Sequence, residues 1–171
     1  MKKLLLILLL TVPATVLAQK GYVELGPSVI FKDKAIWGAN LNANFKLNNE
    51  VGIGAGINPY FLDKSVYLPL YGNLRFYLAK KRTIPFVELD PGYGFYHSST
   101  NVSGVTVDVN GGFYFKAAIG FIMASKSKAT AFIDFNYTRL TLNGESSYSG
   151  QVSKATGSGN YFGISLGICF K

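Results

Sequence analysis

Large apolar residues alternate with small or polar residues along most of this chain, and the terminal segment NYFGISLGICFK shows the pattern most clearly. One set of alternate positions is large and apolar: Phe162, Ile164, Leu166, Ile168 and Phe170. The other set is small or polar: Tyr161, Gly163, Ser165, Gly167 and Cys169. Because successive side chains of a β-strand point to opposite faces, the alternation predicts a strand with one apolar face.

The same period of two recurs in eight segments. The seven that precede the terminal one lie at about residues 21–31, 35–47, 50–62, 65–79, 84–97, 111–124 and 129–142. Each exceeds the roughly 9–11 residues with which a tilted strand crosses a bilayer. Tight connections (KLNNE, AKKRT, SKSK) alternate with a second set that includes the long Ser/Gly/Thr-rich segments 98–110 and 143–159. The pattern predicts an all-β fold, an eight-stranded antiparallel up-and-down transmembrane β-barrel.

Prolines interrupt several of these segments, at Pro27, Pro59, Pro69 and Pro91. Proline cannot donate a hydrogen bond to a β-ladder. We therefore expect bulges or strand ends at these four positions.

The N-terminal segment MKKLLLILLLTVPATVLA has a different pattern: two lysines, an unbroken apolar run, and small residues at Val16 and Ala18. This is the layout of a secretory signal peptide, which predicts cleavage after Ala18 and a mature barrel domain at 19–171. The alternative is a membrane-anchoring helix, but the apolar run is short for a span of about 20 residues. We expect export to the outer membrane of a Gram-negative bacterium.

Composition supports a membrane barrel. Hydrophobic residues make up 49% of the 171 residues and charged residues 15%, whereas soluble domains average about a quarter charged. The formal net charge is +8, but an exported protein rarely meets nucleic acid, so no nucleic-acid partner is expected. A single His and a single Cys provide no metal-ligand cluster, no cofactor is expected, and the lone Cys169 is interpreted as a small core residue.

Two orientations are open to an eight-stranded barrel: apolar face inward, as in soluble lipocalins, or outward towards lipid. The polar face here consists mostly of Gly, Asn, Ser and Tyr with about one charge per strand, whereas a water-facing surface carries more charge. A charged residue at the lipid-facing midplane costs about 2–4 kcal/mol, and the apolar face has almost none. The pattern favours lipid outside and a lumen filled by side chains.

Counting from the AKKRT turn places Arg75 opposite Glu88 and Asn73 opposite Asp90, and a nearly symmetric next loop would place Lys116 opposite Asp90. Buried charges need partners. We expect one lumenal charge network, made of Glu24, Arg75, Glu88, Asp90, Lys116 and Asp134. Glu88 and Asp90 also raise the alternative of paired-carboxylate catalysis, which is less favoured than an ion-pair network.

The signal peptide, the eight strands, the inward charges and the terminal strand ending at Phe170 resemble small outer-membrane proteins of the OmpA/OmpX type. The segment YLPLYGNLRFYL at 67–78 resembles the outer membrane protein beta-barrel domain family. The resemblance implies contact with outer-membrane lipids. It also implies that the barrel-assembly machinery reads the C-terminal strand.

Some small barrels are enzymes that modify lipid A, and FYHSSTN bears on this alternative. His97 and Ser99 have the spacing of the lipid A deacylase pattern, but Thr100 stands where that pattern has Asn, and Asp108 is only a loose candidate for the acid. The alternation also points His97 towards lipid. We therefore expect a non-enzymatic, filled-lumen membrane anchor, with possible recognition or adhesion through 98–110 and 143–159 and with no surface partner identified. A deacylase-like enzyme and a narrow pore are the alternatives.

Overall fold

The computed structural model describes residues 21–62, 65–79, 83–102, 105–123, 128–148 and 151–170. In chain order its strands are β1 (Gly21–Phe31), β2 (Ala35–Lys46), β3 (Val51–Ile57), β4 (Tyr60–Leu62), β5 (Ser65–Tyr77), β6 (Thr83–Phe95), β7 (His97–Val102), β8 (Val105–Met123), β9 (Ala129–Tyr148) and β10 (Gln151–Phe170). The expected signal peptide, 1–18, lies outside the described residues, as do residues 80–82 and 124–127, where tight connections are expected. Within the described ranges, no helix has the length and apolar character needed to cross a membrane.

The strands form one closed antiparallel ring with eight positions. β3 and β4 share the position between β2 and β5, while β6 and β7 follow one another along β8. β1 pairs with β2 on one side and with β10 on the other, so the first and last strands close the ring. The expected eight-stranded up-and-down antiparallel barrel is therefore confirmed.

The polar face of the sheet points into the lumen and the apolar face points outward, as the alternation predicts. Glu24 and Lys116 are fully buried, whereas Trp37 is 63% exposed and Phe162 70% exposed. The expected lipid-facing residues of β10 all lie on the outward face: Phe162, Ile164, Leu166, Ile168 and Phe170. A narrow ring leaves room inside only for side chains that pack against each other. The large apolar side chains therefore form the outer surface.

The expectation that the prolines mark bulges or strand ends is wrong at three of four positions. Pro27 lies opposite Ala39, Pro69 opposite Gly94 and Pro91 opposite Phe115, each without a register shift. Pro59 marks a strand end, since it lies between β3 and β4, yet the pairing with β2 resumes in the same register beyond it. The Pro59 carbonyl accepts a hydrogen bond from the Ala39 amide at 3.1 Å, so the ladder loses a donor but not its alignment.

Among the described pairings, a register shift is recorded between Gly111 and Tyr114 of β8. Gly111 lies opposite Leu142 and Tyr114 opposite Leu140, so two residues of β8 face one residue of β9. This is a β-bulge. A Cβ atom on Gly111 would overlap the carbonyl oxygen of Gly94 on the neighbouring strand. The bulge therefore depends on a close backbone approach that glycine permits, and not on proline.

The segments 98–110 and 143–159, expected as surface loops, consist mainly of β-strand. His97–Val102 pairs with the start of β8, and β9 and β10 pair continuously from Ala129 and Phe170 up to Tyr148 and Gln151. β1 pairs with β10 only up to Phe162, so the upper half of β10 extends beyond the closed ring. We call this protruding four-stranded sheet the crown: β7, 105–110, 143–148 and 151–160. The end of the barrel that bears it is called the outer end.

Candidate functional site

The centre of the lumen is occupied by Arg75, which is 1% exposed. Its Nη2 donates to Glu24 Oε2 at 2.8 Å, and its Nη1 contacts the other oxygen of the same carboxylate. Its Nε donates to Glu88 Oε2 at 2.5 Å. One guanidinium on β5 therefore binds a carboxylate on the neighbouring β6 and another on β1. Such two-point recognition matches the forked donor geometry of arginine.

Lys116 on β8 continues the network towards the outer end. Its Nζ lies 3.1 Å from Glu88 Oε1 and 2.9 Å from Asp90 Oδ2. Asn73 Nδ2 donates to the other oxygen of Asp90 at 2.7 Å. Arg75 lies opposite Glu88 and Asp90 opposite Lys116 in the strand register, where counting from the turns placed them. Both carboxylates of β6 are therefore held by cations, which disfavours the paired-carboxylate alternative.

Asp134 lies in the same lumen, 2% exposed, but in a different environment. It accepts a hydrogen bond from Asn136 Nδ2 at 2.9 Å. Among the described residues, no ion pair includes Asp134, so the structure does not join this carboxylate directly to the cations as expected. It faces Gly120 in the register, and a glycine offers no side chain that would reach it.

Several polar residues that support Glu24 were not singled out from the sequence. Asn42 and Asn44 on β2 each donate to Glu24 Oε2 at 3.3 Å, and the Cys169 thiol donates to Oε1 at 3.2 Å. Arg75 Nη1 also donates to the Tyr22 hydroxyl at 3.0 Å. In the sequence, each of these residues lies on the small or polar face of its strand, as Glu24 does. That alternation predicts that all of them point into the lumen. Side chains from four strands, β1, β2, β5 and β10, thus meet at Glu24 and Arg75.

An apolar cavity of about 300 Å³ lies above this network, at the mouth of the barrel. Most of its lining is apolar or aromatic, including Ile36, Leu62, Tyr67, Leu140, Leu142 and Tyr161. Below it, the rings of Tyr71 and Tyr114 stack with centroids 5.4 Å apart. Lys32 adds a polar group to the lining. We call this the mouth cavity. Sequence reasoning did not predict it, because its lining combines residues from both ends of the chain.

The catalytic candidates His97 and Ser99 lie outside the lumen, on the outward face of the crown. His97 is exposed, and its Nδ1 lies 2.9 Å from Asn110 Oδ1. Ser99 lies opposite Asp108 in the register. A nucleophile and its base must come within about 2.6–3.2 Å. Within the described part of the chain, no hydrogen bond links His97 to Ser99, and no group of three or more His, Cys, Asp or Glu residues forms a metal site.

Aromatic side chains encircle the outward face near the outer end, and we call them the outer girdle. They are Phe31, Trp37, Phe61, Phe95, Phe113, Tyr137 and Phe162. The rings of Tyr137 and Phe162 pack edge to face with centroids 5.8 Å apart. Aromatic girdles mark the boundary between hydrocarbon and headgroups in membrane barrels. On β9 and β10 the outward face becomes polar immediately above this girdle.

Comparison with known proteins supports the fold. No protein-family model matches the sequence, and no curated protein matches it. Among solved structures, the outer membrane protein OprG from Pseudomonas aeruginosa superposes with a TM-score of 0.70 at 10% identity, covering 88% of this chain and 94% of that chain. The outer membrane protein AlkL, solved in lipid bilayers, gives 0.61 at 11% identity, covering 89% and 90%. The chain therefore has the fold of small outer-membrane β-barrel proteins.

Proposed function

We propose that this protein is a non-enzymatic integral outer-membrane protein, with a barrel that is a closed anchor and a crown that is its recognition surface. The observation that carries the proposal is the contact of Arg75 with Glu24 across the lumen and with Glu88 on the adjacent strand. The proposal includes insertion by the barrel-assembly machinery through the terminal strand. Outer-membrane lipids are then its immediate partners.

The lumenal network supports closure on energetic grounds. A solute that crosses the barrel has to separate charges that are 0–1% exposed. Removing one partner of a buried ion pair typically costs about 3–5 kcal/mol, because the other charge is left uncompensated. The neutral side chains of Asn42, Asn44 and Asn73 donate hydrogen bonds to the carboxylates of the network.

Planar-bilayer recordings test the closed anchor. The wild-type protein is expected to give little conductance, and the double variant Glu24→Ala with Arg75→Ala is expected to give more, since it removes the contact that spans the lumen. Lys154→Ala, a crown variant, is the matched control and should behave as wild type. Stable channel-like steps from the wild-type protein would contradict the proposal.

The mouth cavity supports a second candidate function, the capture of a small apolar molecule at the outer surface. Its lining is predominantly apolar, and pockets of a few hundred cubic ångströms are typical of small-ligand sites. An apolar fluorophore such as a naphthylamine should gain fluorescence in the wild-type protein and lose it in Leu142→Asp. Val152→Asp places the same charge on a crown residue outside this lining and is the control. Equal fluorescence in both variants would reject the cavity as a binding site.

A further inference from the structure

Arg139 is a basic side chain on the outward face of β9, directly above the outer girdle. It is exposed, and it follows Tyr137 by two residues on the same face of the strand. Its register partners are Phe115 on β8 and Asn160 on β10. Tyr137 in turn faces Phe162, so an aromatic pair lies immediately on the membrane side of the guanidinium.

The guanidinium of Arg139 has few partners within the protein. Its Nη2 donates to Ser158 Oγ at 3.4 Å, and no ion pair among the described residues includes it. Lys154, on the same outward face but further out, already pairs with Glu145 at 3.4 Å. An arginine has five N–H donors in a planar fork. Most of the N–H donors of Arg139 therefore have no partner among the described residues. They lie directly above the outer girdle, where the proposed hydrocarbon region ends.

The chemical groups around Arg139 favour the binding of an anion. A guanidinium fork binds phosphate in a bidentate manner, and it is only weakly hydrated, which suits a site beside aromatic rings. Ser158 and Asn160 place a hydroxyl and an amide on the same outward face of the neighbouring strand. The apolar rings below would contact acyl chains. Together these groups fit a molecule with a phosphate head, further hydrogen-bonding groups and hydrocarbon tails.

We propose that Arg139, together with Ser158 and Asn160, binds the phosphate of a phosphorylated glycolipid of the outer leaflet, of the lipid A class. This inference rests on the proposed placement of the crown at the outer surface. A free phosphate ion offers the same charge but has no tails for Tyr137 and Phe162. The site is therefore assigned to the lipid and not to the soluble anion.

Native mass spectrometry of the detergent-purified protein tests the proposal, with lipid A, dephosphorylated lipid A and zwitterionic phosphatidylcholine as probes. Wild-type protein should retain lipid A in preference to the other two. Arg139→Gln should weaken lipid A binding about tenfold, the loss expected for one charge-assisted pair. Arg139→Lys should retain part of the affinity, since it preserves the charge but not the fork.

Lys154→Gln is the matched control, because it removes one positive charge from the same face at a residue that is already paired. It should leave lipid A binding unchanged. Equal binding of lipid A by wild type and Arg139→Gln would overturn the proposal, as would equal binding of the dephosphorylated lipid. Competition by inorganic phosphate at millimolar concentration would assign the site to a free anion and would also overturn it. Folding of each variant is checked by the gel shift between unboiled and boiled samples, and bilayer conductance tests the closed anchor separately.

Discussion

Arg75 on β5 binds Glu24 on β1 across the lumen, with Nη2 and Oε2 2.8 Å apart, although the β2 and β3 positions lie between these strands in the ring. The contact joins two sides of the barrel that share no backbone hydrogen bonds. Because the same guanidinium also binds Glu88 on the adjacent strand, Arg75 connects local strand pairing to closure of the whole ring.

Arg75→Leu should lower the free energy of unfolding by about 3–5 kcal/mol, because it leaves Glu24 buried without its cation and Glu88 with Lys116 alone. Lys154→Ala breaks an exposed ion pair and should have little effect, since such pairs are screened by solvent. The measurement is urea unfolding in lipid vesicles, followed through the fluorescence of Trp37, the single tryptophan. Equal shifts of the two unfolding midpoints would argue against a stabilising network.

Gly111→Ala should destabilise the barrel by about 1–3 kcal/mol, the usual cost of overpacking. The added methyl group would overlap backbone atoms of Gly94, and backbone within a paired sheet cannot move aside as a flexible side chain can. Gly72→Ala is the control, because a Cβ at that position meets nothing within 4 Å. Unfolding of both variants in parallel checks the prediction. Comparable losses of stability in Gly111→Ala and Gly72→Ala would show that the destabilisation does not come from the bulge.

Replacing residues 144–155 by an Asn-Gly turn should leave a folded barrel. The segment lies beyond the last pairing of β10 with β1, and Asn143 and Thr156 face each other in the register, so a two-residue turn can join them. Such a turn suits the twist of a β-hairpin. The unboiled variant should keep the faster gel mobility of a folded barrel. Failure to fold would show that the crown contributes to barrel assembly.

Cys169 should resist a water-soluble maleimide in the folded protein and react after unfolding. Its side chain is 2% exposed, and its thiol donates to Glu24 inside the lumen. The control is the double variant Cys169→Ser with Lys154→Cys, which moves the thiol to the exposed crown and should react while folded. Rapid labelling of wild-type Cys169 in the native barrel would mean that the lumen near the terminal strand is open to solutes.

Many of the side chains that face the lumen, and some of their pairings, could be predicted from the sequence because strand geometry is regular. Alternation assigns each side chain to a face, and counting outward from a tight turn gives the register of the two adjoining strands. The opposition of Arg75 and Glu88 followed from that counting, and the opposition of Asp90 and Lys116 followed from the further assumption that the next, longer connection is nearly symmetric. The same reasoning fails for Asp134, because parity places it in the lumen without specifying its distance from the cations.

Three features needed the folded ring. The bulge at Gly111 depends on how closely two strands approach, which no local pattern records. The polar segment 143–159 has the composition of a loop, yet strand pairing extends it well beyond the point where β1 ends. The mouth cavity likewise combines residues that are distant in the chain, such as Ile36 and Tyr161.

The sequence by itself determined which residues face lipid and which face the lumen. Alternation with a period of two divides each strand into two faces, and the near-absence of charge on one face identifies it as the lipid-facing side. The tertiary structure alone decided which lumenal groups meet across the barrel, as Glu24 and Arg75 do. It also decided that Arg139 has no carboxylate partner within the part of the chain that the structure describes. The physical reason is that ring closure and strand tilt fix heights and distances between non-adjacent strands, and these quantities depend on all eight positions of the ring at once.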